Sequence, residues 1–514
     1  MTSDTPPLRR SSVWLVIACV ILLAEIVALP LALQHRSSRP STSCAATTQL
    51  TVAAPAELTD FLASVPAPEC IEVTLREAEG YEGADRLAAG DADVWIADST
   101  YTVAVADPAL VDRSVVVVRR GVGLAASERT RTRLAAVPSW ALALHTDGTS
   151  AHAAREGQGG ESSAAVMSAA GPILAAAREA TGDQYLGLGL AAASIRDFTA
   201  AKPGRGPVAD GALRIGLLDR LPAGEALPTA EGVPTVDVPA VLPVESTSRT
   251  AAAKRFIRAL GAAKHERTQH HFLAPTATSV TIDGTELPLI PADQGPDLNL
   301  RHALADPSVF TGNILTLTDV SGSMGQLAPG QTVTGIDGVR QAASLFAGSM
   351  PGHLTVGAWA FAYRLDPPRD YVVSTAPGRL SEVRDSLLLG ARNLEAQPVG
   401  TALYSTFDAA YREMLANYQQ GTINAIAVFT DGRDEDDPDS LDLPGLLADL
   451  RAVQDPARPI VPLFFAFGDA DIDAMHRIAD PLGGQVLSFS SPAQIGGAMI
   501  AAIAATAHTD PTAG

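Results

Sequence analysis

The first half of the chain alternates between two apolar periods. "LTVAAPAELTDFLASV" (50–65) opens as an apolar run, meets a proline and continues with apolar residues at helical spacing, which predicts a strand, a turn and an amphipathic helix. "CIEVTLREA" (70–78) predicts a second strand, and "ADVWIADST" (92–100) and "SVVVVRR" (114–120) are runs of the β-branched kind found in parallel sheets buried on both faces. An Ala-rich stretch over 161–181 predicts a helix that Arg178 and Glu179 keep in contact with solvent. "GALRIGLLDR" (211–220) and "VPTVDVPAVLPVE" (233–245) return to strand character, and "SRTAAAKRFIRALGA" (248–262) predicts another helix. Over 283–310 the periodicity is lost and Pro, Gly and Asp accumulate, as in a linker.

From Asn313 onward the pattern becomes regular. Strands are predicted at 314–319, 354–361, 424–430, 460–467 and 485–489, and helices near 336–349, 379–394, 402–418, 443–453, 471–482 and 492–505. This alternation predicts a doubly wound α/β sheet. The last helix, "PAQIGGAMIAAIAA", is too short to span a membrane and reads as core packing of this second unit.

One stretch is apolar for a different reason. Residues 13–33, "VWLVIACVILLAEIVALPLAL", are long enough to cross a bilayer as a helix, with only Glu25 and Pro30 interrupting. A cleaved signal peptide has a shorter apolar core and a small-residue cleavage site behind it, so an uncleaved anchor is expected. Arginines flank both ends of the span and leave its orientation open.

Composition narrows the functions. With 514 residues the chain exceeds one domain, and 46% hydrophobic against 18% charged residues places it among globular proteins. The formal net charge of −20 repels phosphate backbones, so nucleic acid is excluded as a partner. The three lysines, Lys202, Lys254 and Lys264, each follow an alanine, so no phosphate-binding G-x-x-x-x-G-K-[ST] loop exists. Cys19 lies within the apolar span, leaving Cys44 and Cys70 either as a disulfide, worth about 3–4 kcal/mol through chain entropy, or as two buried thiols.

Several motifs carry little. "GVGLAA" (121–126) and "GLGLAA" (187–192) fit a loose dinucleotide fingerprint but lack the acidic residue about 20 positions later, and chance in a Gly- and Ala-rich chain explains them. "KHERTQHH" (264–271) sets His265 and His270 five residues apart, on diverging sides of a helix rather than on the shared face of a zinc site. No G-x-S-x-G elbow is present.

The stretch "ILTLTDVSGSMG" (314–325) is different, because it places Asp319, Ser321 and Ser323 on alternate positions directly after a strand. Aspartate and serine also serve as helix caps and turn formers, so three residues alone decide nothing. Two further stretches add weight: "PVGTALYST" (398–406) puts Thr401 at a helix start, and "AIAVFTDGRDED" (425–436) ends a buried strand at Asp431. Two carboxylates and three hydroxyls at the carboxyl edge of one sheet make a hard oxygen set, suited to Mg²⁺, Mn²⁺ or Ca²⁺. The following acidic run "DEDDPDSLD" (434–442) reads as a solvated loop or a second cation site.

At these residues the chain resembles the von Willebrand factor type A domain, over 311–506. Its metal-ion-dependent adhesion site is built from D-x-S-x-S, a distant Thr and a distant Asp, which map to Asp319, Ser321, Ser323, Thr401 and Asp431. The resemblance implies a bound divalent cation, Mg²⁺ or alternatively Mn²⁺ or Ca²⁺, with an open position that accepts a carboxylate from a protein partner, and no enzymatic activity. About residues 49–275 are similar in element order to the extracellular solute-binding proteins of bacterial importers, two-lobed α/β domains. That similarity places a small-molecule cleft near Ala54, Pro55, Asp98, Ser99 and Thr100.

An anchor, a solute-binding-like domain and an adhesion domain together resemble a group of actinobacterial membrane-anchored surface proteins. The implied layout is a cytoplasmic tail (1–12), a single transmembrane helix (13–33), a linker (34–48), the solute-binding-like domain (49–282), a linker (283–310), the type A domain (311–506) and a tail (507–514). It further implies that the bulk of the chain lies outside the cell membrane, where a Cys44–Cys70 disulfide can form. The expected function is metal-dependent capture of a protein; the alternative is a solute receptor that signals or docks through the adhesion domain. Assistance to a metal chelatase is a third reading, which an outside location disfavours.

Overall fold

The computed structural model describes residues 44, 46–134, 138–144, 154–156, 163–200, 206–245, 247–291, 300–301, 310–327, 330–435 and 440–506. The expected tail 1–12, membrane span 13–33, most of the 34–48 linker and the tail 507–514 lie outside them. Among the described residues, no helix is long and apolar enough to cross a membrane.

The first domain runs β1 (Thr48–Ala54), α1 (Ala56–Ser64), β2 (Ile71–Glu77), α2 (Glu82–Ala89), β3 (Val94–Ile96), α3 (Thr100–Ala106), β4 (Ser114–Ala125), β5 (Ala154–Glu156), α4 (Ser163–Thr181), α5 (Gln184–Ala200), β6 (Ala212–Leu217), β7 (Val233–Val241), α6 (Thr250–Ala262), β8 (Ser279–Ile282) and β9 (Thr285–Pro291). Its mixed sheet is ordered β2-β1-β3-β7-β4-β6-β5, with β9 joined to β7 and to β8. Two lobes follow from two cores. One gathers Leu50, Val52, Phe61, Val118, Val238 and Phe256, and the other gathers Val122, Leu124, Trp140, Ile173, Ile195 and Val236. β4 and β7 pass through both, and the cores divide at Arg119, Arg120 and Asp237. Cys44 and Cys70 are joined in a disulfide, with Cα atoms 5.5 Å apart.

One expectation changes here. Residues 285–291, read as the start of a linker, form β9 and pair with β7, because the prolines of "GTELPLIP" fall on a short strand at the sheet margin. "GLGLAA" lies inside α5, a helix that the glycines obscure in the sequence.

The second domain runs β10 (Gly312–Asp319), α7 (Gly335–Ser349), β11 (Thr355–Asp366), β12 (Arg369–Arg379), α8 (Leu380–Arg392), α9 (Leu403–Ala416), β13 (Ile423–Thr430), α10 (Leu443–Val453), β14 (Val461–Ala466), α11 (Ile472–Ala479), β15 (Gln485–Ser488) and α12 (Ile495–Thr506). The strand order is β12-β11-β10-β13-β14-β15, parallel throughout except for β12, which runs antiparallel to β11. This is the doubly wound order, which brings the carboxyl ends of β10 and β13 together where the winding reverses. Helices cover both faces, so β13 and β14 are apolar almost throughout: Phe429 and Phe465 pack with Ile336, Phe346 and Met499 on one side, and Val428 and Phe464 with Phe407, Leu446 and Met475 on the other.

The last helix is shared between the domains instead of packing the second alone. α12 sends Ala498 and Met499 into the second core and Ile500 into the first domain's second lobe. Close approach is enabled by Gly497, where a Cβ would stand 1.9 Å from the Tyr185 carbonyl oxygen of α5. Gln494 Nε2 donates to Asp183 Oδ2 at 2.5 Å beside this contact.

Candidate metal centre

The site is built from three loops at the carboxyl edge of the second sheet. β10 ends at Asp319, and Val320 and Met324, both buried, anchor the following turn so that the intervening serines face the edge. Backbone hydrogen bonds hold the loops together: Val320 N–H donates to Phe361 O at 2.9 Å, Gln397 N–H to Val320 O at 2.7 Å and Gly322 N–H to Val399 O at 3.1 Å. Glu435 N–H donates to Thr401 O at 3.0 Å and ties the third loop to the second.

The five residues expected from the sequence meet. Asp319, with no exposed surface, accepts from Ser321 N–H at 2.8 Å through Oδ1, and from Thr430 Oγ1 at 2.6 Å and Thr401 Oγ1 at 3.4 Å through Oδ2. Ser321 Oγ lies 3.2 Å from Ser323 Oγ and 3.1 Å from Thr401 Oγ1. Ser323 Oγ donates to Asp431 Oδ1 at 2.7 Å. Burial raises the Asp319 carboxyl against the hydrogen bonds it accepts. Burial, with the charges of Asp319 and Asp469 adding to it, pushes Asp431 up to about 6 although Ser323 donates to it.

This donor set fits a hard cation. It is oxygen only, and among the described residues neither carboxylate is ion-paired. Gly432 leaves room beside it, since a Cβ there would come within 2.9 Å of Thr401 Oγ1 and 3.8 Å of Ser323 Oγ. No group of three or more acidic, histidine or cysteine side chains suited to a metal occurs among the described residues. This cluster differs in drawing on three hydroxyls.

Three participants were not singled out in the sequence. Thr430 reads as the last residue of an apolar strand, Gly432 as a turn residue, and Asp434 as part of a solvated acidic run. Both described ends of that run cap helices: Asp434 bonds the first turn of α9, and Asp442 accepts from Gly445 N–H at 2.8 Å in α10. Residues 436–439 lie outside the described residues. The histidines of 264–271 do not converge, since His265 meets Gln269 and His270 packs against Phe61 and Phe272.

The first domain gathers Ala54, Pro55, Asp98, Ser99 and Thr100 at neighbouring strand ends, with β1 paired to β3. The Ser99 hydroxyl and Asp98 Oδ1 are already engaged. Ala54 and Pro55 are buried, Ser99 caps α3 by accepting from Thr102 N–H at 3.1 Å, and Asp98 accepts from the Ser99 and Thr102 hydroxyls. Thr100 is the first residue of α3, and at the start of α1 Ala56 N–H donates to Glu79 Oε1 at 2.8 Å.

Beside them stands Arg120, only 1% exposed. It holds Asp219 of the second lobe through Nε at 3.1 Å and Nη2 at 2.7 Å, and Glu57 of α1 through Nη1 at 2.7 Å. Arg220 reaches the same glutamate at 3.3 Å, and the Arg120 guanidinium lies 5.3 Å from the Phe272 ring centroid. Burial works against the Arg120 charge, and the hydrogen bonds and charges of Asp219 and Glu57 outweigh it and raise its pKa.

The chain is thus an α/β protein with two mixed sheets, one carrying an oxygen-lined edge. No family model matches it. It is 31% identical over 150 residues to an uncharacterized protein of Mycobacterium tuberculosis H37Rv, covering 28% of this chain and 21% of that one; the match therefore spans about a fifth of the relative's length. Among solved structures it is similar to a von Willebrand factor type A protein from Catenulispora acidiphila, with 18% identity, 38% of this chain and 42% of that one covered, and a TM-score of 0.31. It is also similar to the apo ferric ion-binding protein A of Pasteurella haemolytica, with 14% identity, 50% and 96% covered, and a TM-score of 0.36.

Proposed function

We propose that the chain is a membrane-anchored, extracytoplasmic binding protein that captures a protein partner through a divalent cation. Asp319, Ser321, Ser323, Thr401 and Asp431 hold the cation, Mg²⁺ in the first instance, and a carboxylate of the partner completes its shell. The observation that carries this reading is the meeting of five side-chain oxygens from three loops with no basic side chain paired to either carboxylate among the described residues. Two close carboxylates without a counter-charge favour a cation, and a Mg²⁺ held by few protein ligands keeps waters that a partner's carboxylate can replace. The test is calorimetric titration of the purified full chain in detergent with Mg²⁺, Mn²⁺ and Ca²⁺. The expected result is one saturable site; no heat with any of the three ions contradicts the reading.

In this account the first domain is a scaffold. The alternative, a solute receptor with a ligand at Ala54, Pro55 and Asp98 to Thr100, requires the internal hydrogen bonds there to be exchanged for the solute. A panel of oxyanions, sugars and peptides is expected to leave the melting temperature of the full chain unchanged, and a saturable rise with any of them favours the receptor.

A further inference from the structure

α9 begins two residues after Thr401, whose main chain leads directly into the N-cap, Ala402, so whatever fixes the start of the helix also places Thr401. The first N–H groups of the helix need an acceptor. Its N-cap residue, Ala402, supplies no side-chain acceptor, and Asp434 Oδ1 accepts from the Leu403 N–H at 2.6 Å and the Tyr404 N–H at 3.1 Å. An anion at this end is also favoured by the helix dipole. The next residue, Glu435, donates its N–H to Thr401 O, and Thr401 Oγ1 points to Asp319 and Ser321.

We propose that Asp434 is a positioning residue of the metal centre. By capping α9 from the loop that carries Asp431, it holds the helix start beside Thr401 and fixes the spacing between the second and third ligand loops. The inference rests on the metal reading above and adds a residue to it. Hydrogen bonds, more than charge, perform the role, so asparagine, an equally good acceptor at a helix start, should replace aspartate.

The test compares wild-type full chain with Asp434→Ala and Asp434→Asn, by Mg²⁺ calorimetry and by amide hydrogen exchange of the metal-free protein. The alanine variant is expected to weaken Mg²⁺ binding about 10- to 100-fold, the range for groups that orient metal ligands. It should also speed exchange at Leu403 and Tyr404 about fivefold, the loss of one cap. The asparagine variant should stay near wild type in both. Should the alanine variant not fold, Asp434→Ser, too short to reach both N–H groups, takes its place with a smaller expected loss. Faster exchange at Leu403 and Tyr404 with Mg²⁺ affinity unchanged overturns the proposal, leaving Asp434 as a helix cap alone. An asparagine variant as weak as alanine overturns it as well, since charge would then be the cause. A wild-type chain that binds none of the three ions overturns the metal reading itself, a result distinct from either.

Discussion

The two domains each bring carboxylates to the carboxyl edge of a sheet and treat that charge in opposite ways. In the first, Glu57 and Asp219 close on a buried guanidinium, while Asp98 Oδ1 accepts from two hydroxyls and Glu79 Oε1 from a helix N–H, with burial raising the Asp98 carboxyl. In the second, Asp319 and Asp431 are surrounded by hydroxyls, and the carboxyl of Asp431 is driven toward its neutral form. A polar cluster whose charges are balanced internally gains nothing from a ligand, whereas one left with excess negative charge lowers its free energy by taking a cation. That difference, and not the number of acidic residues, separates the Arg120 cluster from the candidate site.

The sharpest way to break the comparison is to unbalance the first domain. Arg120→Met leaves Glu57 and Asp219 without their buried counter-charge and is expected to cost about 3–5 kcal/mol in urea unfolding. Mg²⁺ affinity should stay within about twofold, since the two edges share no partners. A cost under about 1 kcal/mol, the range of exposed pairs, would show that the balance is unimportant.

The next effect concerns pH. Asp431 at about 6 in the folded, metal-free chain lies above the carboxylate value of about 3.9 expected when unfolded. Between these values the folded chain holds a proton that the unfolded chain has released, so this stabilisation is complete below about pH 4 and is lost as pH rises through about 6. Relative to Asp431→Asn, the wild type in chelator should lose about 1–2 kcal/mol across that window, after allowance for partial solvent screening. Saturating Mg²⁺ should remove the loss above pH 6, and a stability difference that is flat with pH would contradict the excess of charge. The smallest effect is steric: Gly432→Ala places a Cβ 2.9 Å from Thr401 Oγ1 and should weaken Mg²⁺ about three- to tenfold in calorimetry.

Much of the second domain was legible because its signals are local. Asp319 ends one apolar strand, with Ser321 and Ser323 in the turn beyond it, and Asp431 directly follows another, so the change from apolar to polar marks a sheet edge. β12 escaped because it is an antiparallel strand at the sheet margin with Pro377 and Gly378 near its end and many exposed positions, a pattern close to that of a loop. Thr430 was hidden by residue type, since threonine is also a strand former. Asp434 was hidden by company, in an acidic run whose members look alike until the fold assigns one of them to α9. Arg120 was least legible of all. It reads as the end of the strand "SVVVVRR", and its partners Glu57 and Asp219 stand 63 and 99 residues away in sequence. Charge balance at a site is a tertiary property, whereas the carboxylates that create an imbalance can be read locally.

The most direct test is a Mg²⁺ titration by calorimetry at neutral pH on the full chain and on Asp319→Asn, with unfolding curves confirming that both are folded. The account predicts one saturable site in the wild type and none in the variant. Equal binding by both proteins, or none by either, would contradict it.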